Sequence, residues 1–488
     1  MTLNEDIDGY WQNYIDGKYC DGGAGRIAVT NPGNNNMLAE HACADPADLN
    51  RAVEAAWRTH QSAVMSDMLP AERGRMVREM GSYLLTHLDE IARVLTLEQG
   101  KPYFEAAIEV RIAAGYFEYF GNLAATMGGG SVPLGNQHFD FTINEPYGVT
   151  ALLSACHYPV FVPARTLSVA LATGNCCVIK TPELTPISGV WFARAAAAAG
   201  FPPGVVNILC GNSQDVGAAL VSHPLVDHVT SFGSVESGAC IAQAAAKNFI
   251  PCVQELGGNS PSILFEDANL DVFQGEMERS VYWNAGQYCA AMSRIIVHKS
   301  RYDELVERAV AMAKAFSVAP GIEFAEIGLK MGPLDSDSQR EKVLSKIHEA
   351  VASGAKLIVG GKKLNMPGSF MQPTILAEVQ PDMKIAQEEV FGPVMVLMRF
   401  DDEAEAIEMA NSSPYTGLAA FVFTNDISRA TKAAHKLRVG HVVINGSSIG
   451  RVEIPFGGGF GRTGYGRITG PEAFKNYSRN KNVLLPIG

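Results

Sequence analysis

"YGVTALLSACHYPVFVPARTLSVALATGNCCVIKTP", residues 147–182, is the stretch on which the fold turns. A short apolar run, "YGVTALLSA", gives way to the helical pattern "FVPARTLSVALATG" and then to a second short run, "CCVIKTP". The alternation continues through "SGVWFARAAAAAG", "GVVNILC", "DVGAALVSH", "DHVTSFG", "SGACIAQAAAK" and "PCVQELGG". Five short strands with intervening helices predict a parallel, doubly wound α/β sheet, because parallel neighbours need a crossover and helices are the usual crossover. Ligands of such sheets bind beyond the carboxyl ends of the strands.

Upstream, apolar residues recur at three and four over 48–61, 72–99 and 103–127, predicting helices, the second long enough to break. Glycines at 128–130 then end the helical pattern, and "HFDFTIN" alternates as an extended strand or hairpin outside the main core. Downstream, "SRIIVH", "AKLIVGG", "VMVLMRF", "LAAFVFT" and "VGHVVIN" predict a second α/β domain. The chain ends in the glycine-rich "PFGGGFGRTGYGR" and an apolar extended tail.

The 488 residues carry a formal net charge of −12 and no Lys/Arg cluster, which argues against a nucleic-acid partner. No run of 18 or more apolar residues occurs, and the polar, acidic start is unlike a secretory signal, so the expected location is the cytoplasm, with no membrane partner. Nine cysteines, an odd and scattered count without paired CxxC motifs, are expected to be reduced thiols, and no ligand cluster calls for a metal.

Three segments follow strands of the first sheet: "SACHYP", "IKTPEL" and "SFGSVESG". Gly233 and Ser234 open a helix whose free amides suit a pyrophosphate, although the same residues also read as mere punctuation. Lys180 and Glu183 fall where an adenosine ribose would sit, and read equally as a solvated pair; a carboxylate there would favour NAD over NADP. Glu255, beside Leu256 and the Gly257-Gly258 pair, becomes a candidate general base if burial raises its pKa. In "YWNAGQYCAAMSR", residues 282–294, small neighbours leave Cys289 room for a substrate, whereas Cys176, Cys177, Cys210 and Cys252 lie on strands and read as buried hydrophobes.

In chain order, "GFPPGVVNIL", "QELGGNSP", "YWNAGQYCAAMSR", "FMQPTIL", "EEVFGPV" and "PFGG" resemble the aldehyde dehydrogenase superfamily of the hydrolytic type over essentially the whole chain. The resemblance implies a Rossmann-type cofactor domain over 1–127 and 146–256, a second α/β catalytic domain over 257–450, and a small β oligomerisation element from 128–145 and 471–488, hence a homodimer or homotetramer. It implies that Cys289 attacks an aldehyde to give a thiohemiacetal, that hydride passes to NAD, and that Glu255 activates water to hydrolyse the thioester. It also assigns Lys180 and Glu183 to the adenosine ribose, Gly233 and Ser234 to the pyrophosphate and Glu389 to the nicotinamide ribose. Phe391 and Leu256 join the cofactor site, with Gln339 and Lys342 as weaker contacts of the second ribose.

The chain departs from the family where an asparagine usually completes the oxyanion hole, because that position is His157. A histidine ring N–H can replace the amide, or the ring can turn away and leave the backbone N–H alone. Arg165, eight residues on, reads as a receptor for a substrate carboxylate, a feature of an aromatic-aldehyde site, or a helix-surface pair. Tyr158, Phe161, Trp283 and Tyr288 are expected to line an aromatic substrate channel. Rival readings are an NADP-using or chemically shifted relative, and a non-catalytic cofactor-binding protein on the same fold.

Overall fold

Val149–Leu153, Cys176–Thr181, Val206–Cys210, His228–Gly233 and Cys252–Leu256 are the five expected strands. The structure, a computed structural model, describes residues 9–447 and 451–487. The parts of the expected domains that fall on 1–8, 448–450 and 488 lie outside the described residues.

These strands are buried on both faces almost throughout, which is why they read as apolar runs rather than alternations. All are parallel, and across the sheet they run fifth, fourth, first, second, third. The order therefore reverses between Val149–Leu153 and His228–Gly233, opening a crevice at their carboxyl ends. Short antiparallel strands extend both edges, Asn13–Ile15 and Lys18–Cys20 on one side and Gly464–Tyr465 on the other.

The second sheet has seven strands, ordered Lys356–Val359, Thr374–Ala377, Val394–Phe400, Arg294–His298, Pro261–Leu264, Ala419–Phe423, His441–Ile444, and only the first is antiparallel. Pro261–Leu264 and Thr374–Ala377 add two strands to the five runs quoted from the sequence. Each sheet has its own apolar core.

The expected helices form as Pro46–Gln61, Pro70–Thr86 and Leu88–Gln99, broken at His87, and Tyr103–Leu123. Asp45 and Asp48 close a reciprocal capping box on the first. Gly100 ends the third with φ +98°, a left-handed conformation that glycine adopts without strain. "HFDFTIN" forms no local hairpin: His138–Pro146 pairs antiparallel with Ser478–Pro486, so the ribbon joins two distant parts of the chain.

Candidate active site

The crevice of the first sheet continues into a cleft of roughly 550 Å³. It is lined by the turns after all five strands and by loops of the second sheet's half of the chain. On its wall are His157, Tyr158, Phe161, Arg165, Lys180, Glu183, Gly233, Ser234, Glu255, Leu256, Tyr288, Cys289, Gln339, Lys342, Glu389 and Phe391. Of the residues expected at the site, Trp283 alone does not line it. Its ring packs edge-on against Phe104 at 5.7 Å between centroids. The cause is the turn that follows, where Asn284 and Ala285 adopt φ of 51° and 53° and Gly286 71°, turning the chain between Trp283 and Cys289.

That left-handed turn is held from the other domain. The buried Glu105 carboxylate accepts the Asn284 N–H at 2.8 Å, and Asn284 Nδ2 donates to the carbonyls of His157 (2.9 Å) and Gln287 (3.0 Å). A Cβ on Gly286 would lie 2.1 Å from the Gly392 carbonyl, so the loop can approach "FGP" only as glycine. The Cys289 thiol is pushed up to about 12 by burial and by the Glu255 and Glu389 carboxylates, with Arg165 acting the other way. It is a thiol, not a thiolate, at neutral pH.

The segment before Phe161–Thr173 is fixed by a buried ion pair. Lys101 Nζ contacts Glu109 and donates to the His157 carbonyl at 2.9 Å, while Glu109 accepts the N–H groups of Val160 (3.0 Å) and Phe161 (2.9 Å). The carboxylate thus satisfies donors left free at the start of that helix. The His157 ring packs edge-on to Tyr158 and Phe391 at 5.2 and 5.3 Å. Burial, with Lys101 and Arg165 adding to it, lowers its pKa to about 3, so the imidazole is neutral.

Glu255 is the last residue but one of the fifth strand, and burial pushes its pKa up to about 7 against the opposing charges of Arg165 and Arg467. Arg165 Nη1 lies 3.6 Å from Glu255 Oε2, and Oε1 has no hydrogen-bond partner. Gly457 makes the room, since a Cβ there would sit 2.6 Å from Oε1. Gln254 spends its amide on the Gly238 carbonyl at 2.7 Å and tethers the strand to helix Val235–Ala246.

Away from Cys289, the cleft carries groups that suit a dinucleotide. Lys180 Nζ pairs with Glu183 at 3.0 Å, and Glu183 Oε1 accepts from Ser213 N and Oγ at 2.7 and 2.8 Å. This carboxylate at a strand end is an acceptor able to reach ribose hydroxyls. Ser234 caps helix Val235–Ala246, and a Cβ on Gly238 would strike Leu256, so helix and strand close tightly under the free amides. Glu389 is half-buried, its pKa raised to about 8 chiefly by desolvation; it accepts the Gly258 N–H at 3.2 Å and stands where a Cβ on Gly257 would be. Gln339 Nε2 donates to the Phe391 carbonyl at 2.8 Å and so steadies a residue whose φ is 54°.

Cys156, Ser213, Lys346, Tyr415 and Phe456 also line the cleft and were not singled out in the sequence. The supporting Lys101, Glu105 and Glu109 were missed as well, although two glutamates four apart on an apolar helix face are a readable sign of buried charge.

A doubly wound sheet and a second α/β sheet meeting at a cleft, with a cysteine and a buried carboxylate beside dinucleotide-type groups, are the architecture of a dinucleotide-dependent enzyme. A sequence profile of the aldehyde dehydrogenase family matches residues 19–483. Human retinal dehydrogenase 2 is 36% identical over 482 residues, covering 98% of this chain and 92% of its own. The NAD+ complex of a Bacillus cereus aldehyde dehydrogenase superposes with a TM-score of 0.95 at 33% identity, covering 98% of this chain and 97% of its own. An NADP-dependent enzyme of E. coli superposes with a TM-score of 0.94 at 33% identity, covering 98% of each chain. The chain belongs to the aldehyde dehydrogenase family, whose substrates are small-molecule aldehydes.

Proposed function

We propose that the protein oxidises an aldehyde to the carboxylic acid with NAD, using Cys289 as nucleophile and Glu255 as general base. The observation that carries this reading is that Cys289 and a Glu255 carboxyl raised to about 7 open into one cleft. A resting thiol near 12 needs a base, and Glu255 is a carboxylate whose pKa suits the task.

Glu255 takes the Cys289 proton as sulfur bonds to the carbonyl carbon and the C=O π pair moves to oxygen. The Cys289 backbone N–H and the neutral His157 ring are the donors suited to that oxyanion. NAD, when bound, would supply the hydride acceptor for that carbon, whose oxyanion pair re-forms C=O. After releasing the Cys289 proton to solvent, Glu255 takes a proton from water, whose oxygen adds to the thioester carbon, and the oxyanion so formed re-makes the C=O bond as the Cys289 thiolate leaves with the C–S electron pair. Lys180 and Glu183 would hold the adenosine ribose, and Gly233 and Ser234 the pyrophosphate. Leu256, Glu389 and Phe391, with Gln339 and Lys342, would hold the nicotinamide half. Glu183 favours NAD, because its carboxylate would repel a 2′-phosphate. Tyr158, Phe161, Arg165 and Tyr288, which line the cleft, would face the substrate.

A second copy of the chain covers the apolar face of the 138–146/478–486 ribbon in a homodimer or homotetramer. Nine cysteines without a disulfide suit the reducing cytoplasm. No described helix is long and apolar enough to cross a membrane.

The test is NADH formation from aliphatic and aromatic aldehydes by the purified protein, with Cys289→Ala as control. NADH from the wild type and none from the variant is expected; turnover surviving in Cys289→Ala would sink the assignment.

A further inference from the structure

Asp335 does not itself line the cleft, yet three segments that do converge on it. Its carboxylate accepts the Cys156 S–H at 3.2 Å on Oδ2 and the Ser336 O–H at 3.0 Å on Oδ1, and its own N–H donates to Gln287 Oε1 at 3.0 Å. Cys156 belongs to the turn after the first strand, directly before His157. Gln287 belongs to the loop that carries Cys289, and Ser336 caps helix Asp337–Ala352, whose Gln339, Lys342 and Lys346 line the cleft.

Burial and the neighbouring Asp335 carboxylate push the Cys156 pKa up, so the sulfur keeps its proton and is a donor to Asp335. With its one proton turned to Asp335, the Ser336 hydroxyl presents a lone pair to the Gln339 N–H at 3.2 Å, the cap that starts the helix. Gln339 in turn holds the Phe391 carbonyl, and Asp335 attracts Lys342. On the other side, Gln287 Nε2 donates to the Asn284 carbonyl at 3.1 Å and Asn284 Nδ2 to the His157 carbonyl at 2.9 Å. The bonds therefore form a closed circuit, from Asp335 through Gln287, Asn284 and His157 to Cys156 and back, joining the two halves of the chain. In such a network each link supports the others, and the thiol, a weak donor, is the link that closes it.

We propose that Asp335 is a positioning residue for the nicotinamide half of the cofactor: by clasping Cys156 it fixes helix Asp337–Ala352, and with it Gln339, Lys342 and Phe391, against the turn that bears His157. The inference rests on the assignment of those three residues to that half. Lys180, Glu183, Gly233 and Ser234, assigned to the adenosine and pyrophosphate, lie on the first sheet's side and outside the circuit. Loss of the clasp should then be felt by NAD and not by ADP, which lacks the nicotinamide half.

The experiment is calorimetric titration of the purified protein with NAD and with ADP. Asp335→Ala and Cys156→Ala should each bind NAD about tenfold more weakly, with ADP affinity unchanged. The double variant should be no weaker than Asp335→Ala, since both changes cut one link. Cys156→Ser, whose hydroxyl can donate to Asp335, should restore NAD binding. Unchanged NAD affinity in Asp335→Ala overturns the clasp; so do equal losses for NAD and ADP, which mark a general structural defect, and additive losses in the double variant. If Asp335→Ala does not fold, Asp335→Asn, which lacks one of the two acceptor oxygens, reads the same loss. Hydrogen exchange without cofactor supplies the second arm: peptides covering 284–289 and 336–342 should exchange faster in the Asp335 variant than in wild type. If wild type binds NAD no better than ADP, the assignment of the nicotinamide half fails, while unchanged exchange in the variant overturns the clasp itself.

Discussion

Cys289 and Glu255 are pushed in the same direction by burial, with opposite consequences. The thiol near 12 is kept out of its reactive form, whereas the carboxyl near 7 becomes a base of useful strength. Activity limited by Glu255 should therefore rise as pH passes upward through about 7, because the deprotonated form is the active one. Glu255→Gln should retain little turnover, lowered by about 10²–10⁴-fold, and rapid-quench kinetics should show whether an acylated Cys289 accumulates. His157 yields a different expectation. With a pKa near 3 the ring stays neutral across the working range, so His157→Asn should leave the shape of the pH profile unchanged between pH 5 and 9, a window chosen well above about 3. His157→Ala, which removes the donor, should lower kcat by about 10²–10³-fold if the ring serves the oxyanion. An Ala variant as active as wild type would leave the backbone N–H working alone.

Between residues and domains stands the element that aligns them, the start of helix Tyr103–Leu123 with Lys101 just before it. Lys101 reaches the His157 carbonyl, Glu109 caps the next helix, and Glu105 grips the turn before Cys289, so one segment registers both loops of the site. Removing one partner of a buried pair leaves an uncompensated charge, so Lys101→Met should lower stability by about 3–5 kcal/mol, read by urea unfolding. It should also lower kcat more than it raises the Kd for NAD, since the dinucleotide groups lie on other elements. What sequence could show here follows from range. The five strands were legible because each is a short apolar run ended by a glycine, proline or polar turn. Glu255 and Cys289 were legible through local motifs. The Lys101–Glu109 pair was not, because its targets are backbone groups at 157, 160 and 161, and a backbone acceptor leaves no mark on residue identity. Trp283 was misplaced because non-glycine residues in the left-handed region at 284 and 285 are not announced by composition.

At the scale of the whole molecule the ribbon His138–Pro146/Ser478–Pro486 is unfinished. Two-stranded ribbons are marginal by themselves in water, and this one shows an apolar face. Phe139, Phe141 and Ile143 alternate along one strand, opposite Leu485, Val483 and Lys481 on the other. Phe139 is 64% exposed and Leu485 57%. On the opposite face Asn482 Nδ2 donates to the buried Asp140 at 2.8 Å, so the apolar face is the one left open. Its pairing across the length of the chain hid it from any local reading: "HFDFTIN" showed the alternation but not the partner strand. A contiguous apolar face of this kind is ordinarily covered by another surface, and the same face on a second copy is self-complementary about a two-fold axis. Phe139→Glu together with Leu485→Glu would bury unpaired charge in that contact. Sedimentation velocity at micromolar concentration should then show wild type as a dimer or tetramer and the double variant as a smaller species. NADH formation per subunit should be alike in both, because the ribbon residues do not line the cleft. An unchanged sedimentation coefficient would mean that the ribbon is covered by something other than a second copy, and that any assembly uses another face.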